Sequence, residues 1–566
     1  MVVVRGECER VSSMHRAAHA AATTSAQHYD RSDTPLARCL GAAPDGRSSA
    51  STPPTPSAGA TVIHVLAAIS AVVAFLTILE VPSSGRGDGA QKTQAVQRAG
   101  RSAERRDERP DERLVATEDR FARQVERHGE PSDEKRVETI GGRRGEPRRL
   151  VLAHYMPWFA AKNVSRQWGW HWTMNSRDPD RLQDGRPQIA SHFQPLIGPY
   201  DSNDPAVVEY HLLLMKLAGI DGVIVDWYGL ENFRDYAMLH RNTQTLLTAA
   251  ERYGLKFAVC YEDQTIPALV KEGRLAESRR VPHAAAELEW LAKNWFASPA
   301  YVRLDDKPLL LSFGQNGLTD QEWTAVLKQL QEAQGRKDVQ ELRELKEPKE
   351  AKGTKEPNGR NEANGPDTAN SSVNYFSLHH RRTAAVGAFD WPLPSQGLKA
   401  VDRFLQAETR GRMPAIPVAF PRFVDFYAEA KVGPSYGRID DADGATLRTT
   451  ARRALDAGQA IVQIATWNDW GEGTQIEPSR EHGYRDLEIL QTLRRETIEP
   501  GLKLKAADLR LPFRLFTLRV TAKSAAGSDR ARQLDAIAQH LARRDTREAE
   551  TLLDKLEPPR DNADRK

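Results

Sequence analysis

Between Leu150 and Gly473 short apolar runs alternate with amphipathic segments, and this alternation is what most narrows the folds open to the chain. Eight runs read as strands: LVLAHYMPW (150–158), DGVIVDWYG (221–229), KFAVCYED (256–263), KPLLLSFG (307–314), NYFSLHH (374–380), VGAFDWPL (386–393), AIPVAFPRF (415–423) and AIVQIATWNDWGEG (460–473). Between them lie segments of helical periodicity, among them DPAVVEYHLLLMKLAG, AMLHRNTQTLLTAAERYG, PHAAAELEWLAKNWFA, TDQEWTAVLKQLQEA and TLRTTARRALDAG. In the first of these Val207, Val208, Leu212, Met215 and Leu217 fall near one face. Several segments stop at a glycine (Gly219, Gly254, Gly458), where a helix C-terminus is expected. Strands that alternate with helices imply a parallel sheet, and eight of them close as a barrel. The pattern therefore predicts an α/β protein with a (β/α)8 TIM-type barrel over residues 148–500. An open doubly wound sheet would carry a Gly-rich phosphate turn after its first strand, and HYMPWFA has none.

The flanks have a different texture. Residues 1–60 are rich in Ala, Ser, Thr, Pro and Arg without sustained periodicity and read as disordered. Residues 61–81 open with TVIHVLAAISAVVAFLTIL, whose apolar core is interrupted at His64. Its length falls between a signal-peptide core and a full membrane span, so it reads as a signal or signal-anchor segment. Arg47 stands upstream of it and Arg86, Lys92, Arg98 and Arg101 downstream, so the basic count does not by itself direct the following domain outward. Residues 82–147 interleave opposite charges and read as a solvated linker. The Lys-, Glu-, Asn-, Gly- and Pro-rich stretch 335–372 reads as a disordered insertion in one barrel connection. After the barrel, 501–566 suggest an extended strand (DLRLPFRLFTLRV) followed by a helical hairpin.

Charge and cysteine usage exclude some functions. Eighty basic and 77 acidic residues leave a net charge of +3, and no basic face or nucleic-acid module is evident, so no nucleic-acid partner is expected. The cysteines, Cys8, Cys39 and Cys260, have no metal-site spacing, and Cys260 lies in an apolar run where a small buried hydrophobe is expected.

In a barrel, residues at the C-terminal ends of the strands share one mouth. Those ends carry His154, Tyr155 and Trp158, then Asp226, Trp227 and Tyr228, then Tyr261 and Glu262. Later ends carry Asp390 and Trp391, Arg422, and finally Trp467, Asn468, Asp469, Trp470 and Glu472. Aromatic faces stack on sugar rings, and carboxylates and amides grip hydroxyls, so this composition points to a carbohydrate. Asp469 and Glu472 stand three apart beside two tryptophans and two glycines, a pattern that places two carboxyls over one cavity. Glycoside hydrolysis needs such a pair, one to protonate the departing oxygen and one to assist attack. For Glu262 the competing reading is a salt bridge. His154 and His171 lack the close helical His/Glu spacing of hydrolytic zinc sites, so sugar contacts or core hydrogen bonds are expected of them, and no metal or other cofactor.

With HYMPWF, GWHW, SHFQPLIGPYDSNDP, the helix H-x-x-L-M-K-x-A-G, IDGVIVDWYG, CYED, GAFDW and TWNDWGEGTQIEP in this order, the chain resembles the glycoside hydrolase family 71/99-like proteins, which include endo-α-mannosidases. In the mannosidase branch the last motif reads Glu-Trp-x-Glu, and its glutamates are the catalytic pair. Asp469 takes the first position, one methylene shorter, and Glu472 the second. The resemblance implies retaining hydrolysis in which the first carboxylate deprotonates the sugar's own 2-hydroxyl to give a 1,2-anhydro sugar, while the second acts as acid and then base. It also assigns substrate contacts to Glu262 and, through the other motifs, to Trp170, His171 and Tyr200. Sequences with a WNDWGEG-type loop have been labelled glycosyltransferases as well.

The expectation is thus a glycosidase acting on an α-linked polysaccharide or oligosaccharide, mannan-like or glucan-like, membrane-anchored or secreted. A non-catalytic carbohydrate-binding barrel and a polysaccharide-assembly glycosyltransferase are the alternatives. If 61–81 act in export, a reporter fused at residue 140 should be accessible to protease outside intact cells; a protected reporter would remove the extracytoplasmic reading.

Overall fold

The computed structural model describes residues 149–314, 316–344, 371–409, 413–521 and 527–557. The expected segments 1–60, 61–81 and 82–147, and most of the 335–372 insertion, lie outside them. Among the described residues no helix is long and apolar enough to cross a membrane.

All eight expected strands form: β1 (Leu150–Tyr155), β2 (Gly222–Trp227), β3 (Lys256–Tyr261), β4 (Lys307–Ser312), β5 (Asn374–Leu378), β6 (Gly387–Phe389), β7 (Ala415–Ala419) and β8 (Ile461–Ile464). Each pairs in parallel with the next, and β8 returns to β1 with Leu150 opposite Ile461. The ring closes through β7, which is in two halves. Ala415–Ile416 pair with β6 and Val418–Ala419 with β8, because Pro417 between them has no N–H to give the ladder. Its carbonyl still accepts from the Gln463 amide at 3.0 Å. The result is the (β/α)8 barrel, with a short loop and no helix between β5 and β6.

Strand alternation sorts the core into two layers. Leu152, Ile224, Ala258, Leu309, Leu311, Phe376, Ile416 and Ile461 fill the barrel interior. Val151, Ala153, Val223, Val225, Val259, Leu310 and Ile464 face the helices instead. Helix α1 (Pro205–Ala218) shows how local sequence sets an element: Asp204 accepts from the Ala206 amide at 3.0 Å as N-cap, Pro205 opens the first turn, and Gly219 ends the helix at φ +81°.

Two expectations are corrected. The helix α2 (Asp320–Glu344) runs on ten residues into the stretch read as an insertion from 335, since helix formers follow Gly335. The supposed strand after residue 501 is helical, with a 3-10 turn at Ala506–Arg510 leading into α3 (Leu511–Thr521). Its extended reading is overridden by packing: Leu511, Leu515 and Leu518 bury one helical stripe along α1, and Arg519 clasps Glu209 of α1 with two 2.9 Å bonds. Helices Asp529–Ala542 and Thr546–Leu556 follow.

Arg494, in the helix after β8 (Arg485–Thr497), holds Asp221 at the base of β2 with bonds of 2.6 and 3.1 Å, and Asp221 accepts the Val151 amide at 2.9 Å. Arg494 is 3% exposed, so Arg494→Met should destabilise the fold by about 3–5 kcal/mol, read from urea midpoints, because a buried carboxylate loses its cation. A change below about 1 kcal/mol would show the pair is marginal.

Candidate active site

The loop 465–478 after β8 carries the densest chemistry, and the scaffold fixes it from three sides. Asn468 reaches across to β1: it accepts from the Met156 amide at 2.8 Å and donates to the Met156 carbonyl at 2.9 Å. Glu477 gathers a second set. Its Oε2 accepts from the Tyr200 hydroxyl at 2.7 Å and Trp470 Nε1 at 3.2 Å, and His211 Nε2 lies 3.0 Å from its Oε1. His211 in turn meets the Tyr155 hydroxyl at 3.0 Å. On the third side, Val424 and Phe426 donate their amides to the Glu472 and Gly471 carbonyls at 2.9 Å. The glycines are required by contact: a Cβ on Gly473, already at φ +67°, would sit 2.7 Å from the Val424 carbonyl oxygen.

On this loop Glu472 donates its amide to Asp469 Oδ1 at 3.0 Å, so the two carboxyls share one turn. Asp226 from β2 and Glu262 just past β3 complete a group of four. All retain 4–8% exposure, whereas Trp467, Asn468 and Trp470 are fully enclosed. No cation is among the strongest influences on any of the four, and neighbouring carboxylates act on three of them, Asp226, Glu262 and Glu472. Burial raises Asp469 to about 7, against the pull of the Glu472 and Gly471 amides. Glu472 lies well above the usual carboxylate range through burial and then the charges of Asp469 and Asp425, opposed by bonds from Tyr427 and Trp391. Burial and Asp469 raise Asp226 well above that range, and burial with Asp226 and Asp263 does the same for Glu262.

Around the carboxyls stand aromatic rings. Trp391 packs edge-on to His154 at 4.8 Å between ring centres, and Trp158 stacks on His171 at 4.2 Å, with Trp170 and Tyr228 beside them. His171 Nε2 lies 3.6 Å from Asp235; burial nevertheless holds the ring below its ordinary pKa. Asp390 is buried, and His379 Nδ1 lies 3.3 Å from its Oδ1.

Several expected contacts lie elsewhere. Tyr155, Trp227, Tyr261 and Trp467 belong to the layer between strands and helices. Trp227 Nε1 donates to His240 at 3.2 Å and the Tyr261 hydroxyl to Glu287, so neither faces the mouth. Successive residues at a strand end point to opposite faces, and only one of each pair can look inward. Tyr200, Asn468 and Trp470 are consumed in clamping the loop. Arg422 is buried against Asp486 and donates to the Gln475 carbonyl at 2.8 Å.

Sequence reasoning passed over Tyr427, whose hydroxyl lies 3.5 Å from Glu472 Oε1, and Asp425, which accepts the Tyr436 amide at 2.8 Å. Both follow β7 in PRFVDFYAEA, where no strand end or spacing marks them.

A closed (β/α)8 barrel with a group of buried carboxyls at the C-terminal ends of its strands is the class of protein that the fold and site define. Within it the chain belongs to the WbsX family, whose profile, described as "Glycosyltransferase WbsX", matches residues 151–490. That span nearly coincides with the one carrying the motifs of the family 71/99-like resemblance. No curated protein matches the chain. Among solved structures, a GH99 endo-alpha-mannosidase from Bacteroides thetaiotaomicron is similar at 18% identity and a TM-score of 0.41, over 64% of this chain and 98% of that one. A "glycoside hydrolase-like protein" is similar at 14% identity and a TM-score of 0.42, over 64% and 97%.

Asp469 sets a pH signature. Its ordinary value is 3.8 and its folded value about 7, so across that window the folded state keeps a proton the unfolded chain has released. Stability therefore falls as pH rises through the window, and Asp469→Asn should remove the loss. The variant should exceed wild type by roughly 1–4 kcal/mol at about pH 8, with the gain vanishing towards about pH 4, in urea titrations. A gain equal at both ends would show that burial does not govern this carboxyl.

Proposed function

We propose that the protein is a glycosidase in which Glu472 is the general acid and Asp469 the base. One observation carries this reading: two carboxyls share a turn, in an environment that keeps Glu472 protonated while Asp469 titrates near neutrality. An acid that holds its proton next to a base that can release one is the condition for protonating a glycosidic oxygen while activating the attacking group. Trp391, Trp158 and Tyr228 offer apolar faces for sugar rings, and Asp226 and Glu262 offer acceptors for hydroxyls. In the retaining course implied by the motifs, Asp469 takes the proton of the sugar's 2-hydroxyl, whose oxygen attacks the anomeric carbon as Glu472 protonates the leaving oxygen. Water then opens the anhydro sugar, giving its proton to Glu472, and Asp469 returns the proton to O2. The substrate class is an α-linked polysaccharide or oligosaccharide, met outside the cytoplasm if residues 61–81 direct export.

The family's description favours a second reading, transfer of a glycosyl group. Against a nucleotide-sugar donor stands the chemistry of the mouth: the strongest neighbouring charges are negative, and Arg422 is spent on Asp486. Among the described residues a diphosphate would enter an acidic setting without a cationic cradle.

With defined α-mannans and α-glucans as substrates, Glu472→Gln should lower turnover by about 10²–10⁴-fold while leaving glycan binding nearly unchanged. Asp469→Asn should be comparably damaging, and Asp469→Glu should preserve activity where the loop has room for the extra methylene. Full hydrolysis by Glu472→Gln would overturn the assignment. Turnover seen only with an activated sugar donor and an acceptor would establish the transferase instead. Glycan binding without turnover in wild type would establish a binding barrel.

A further inference from the structure

Three adjacent strands bring together His154 of β1, Asp226 of β2 and Cys260 of β3. One ligand atom from each, an imidazole nitrogen, a carboxylate oxygen and the thiol sulfur, lies within 4.8 Å of the others. All three residues are buried, at 0%, 5% and 0% exposure. Neither ring nitrogen of His154 meets a partner at hydrogen-bond geometry, although the Gln463 side chain lies beside the ring, nor does Asp226 Oδ1. Cys260 is a free thiol. Burying such groups without partners is costly, and a protein interior ordinarily pairs them. Asp226 also belongs to the group of four buried carboxyls, none of which has a cation among the strongest influences on it.

We propose that His154, Asp226 and Cys260 form a binding site for one divalent transition-metal ion of the zinc type. One nitrogen, one oxygen and one sulfur donor suit a borderline-soft ion, and three protein ligands leave a fourth coordination position open. Burial holds His154 at about 3, offset only in part by the Gln463 amide beside it, so the imidazole is neutral and its lone pair is available. Without a cation, burial and the nearby carboxylates keep the Cys260 thiol protonated; a metal would displace that proton and supply countercharge to the acidic cluster. The site goes beyond the glycosidase reading, and its test does not depend on turnover.

The test uses the full chain carrying Cys8→Ser and Cys39→Ser, so that Cys260 is its only thiol, stripped of metal by chelator and titrated with Co²⁺. The expected result is saturable binding of one equivalent with an intense near-ultraviolet thiolate-to-cobalt band. Cys260→Ser should abolish that band, and His154→Gln should weaken binding by more than about tenfold. As a second readout, taken as the shift within each variant, Zn²⁺ should raise the melting temperature of the parent chain and not that of Cys260→Ala. Absence of saturable binding, or a cobalt spectrum without the thiolate band, would overturn the site. So would a melting shift that Cys260→Ala retains.

Discussion

The Glu477 carboxylate is the point on which the mouth of the barrel depends. Fully buried, it accepts from the Tyr200 hydroxyl and the Trp470 indole while His211 approaches its other oxygen, and through these groups it joins the loop after β8 to the segment before α1 and to α1 itself. Hydrogen bonds to a buried charge are worth about 1.5–3 kcal/mol each, and losing one leaves the charge unsatisfied. The loop between Asn468 and Glu477 therefore has little freedom to relax. That rigidity matters because the carboxyls it carries repel one another.

Asp226, Glu262, Asp469 and Glu472 are held together at a cost that the rest of the barrel offsets. Each is raised by desolvation, and none has a cation among its strongest neighbours. A scaffold of ordinary flexibility would let such groups separate or reach water. Here two packed layers, Leu152 and Ile224 inside and Val151 and Val223 outside, fix the strand ends, and Asn468 ties the last loop to the first strand. Burial raises both Asp469 and Glu472, and place sets what acts besides: Asp469 gains two amide bonds, while Glu472 faces the charges of both Asp469 and Asp425.

The long motifs between β1 and α1 acquire physical meanings in the same frame. Asp201 accepts the amides of Ala161 at 2.8 Å and Ser165 at 3.2 Å, folding the chain after HYMPWF back on itself, and Asp204 caps α1. Trp172, in GWHW, donates to the Tyr200 carbonyl at 2.7 Å and sits 6.5 Å from Trp470 between ring centres. These residues act on the site through the loop they brace.

What the sequence determined by itself is the alternation, and through it the barrel. Eight apolar runs and the glycines at 219, 254 and 458 carry local information, because strand and helix periodicity and cap conformations are set within a few residues. Asp469 and Glu472 were legible for the same reason, three apart on one glycine-flanked turn. Tertiary structure decided which side of each strand end faces the mouth: it turned Asp226 inward and Trp227 outward, His154 inward and Tyr155 outward. It also turned the run at 508–520, read as extended, into a 3-10 turn and a helix packed on α1. Tyr427 beside Glu472, and His154, Asp226 and Cys260 beside one another, were not legible. Their side chains come from segments 34 to 72 residues or more apart, and only closure of the strand ring, a long-range constraint absent from any local window, brings them within reach.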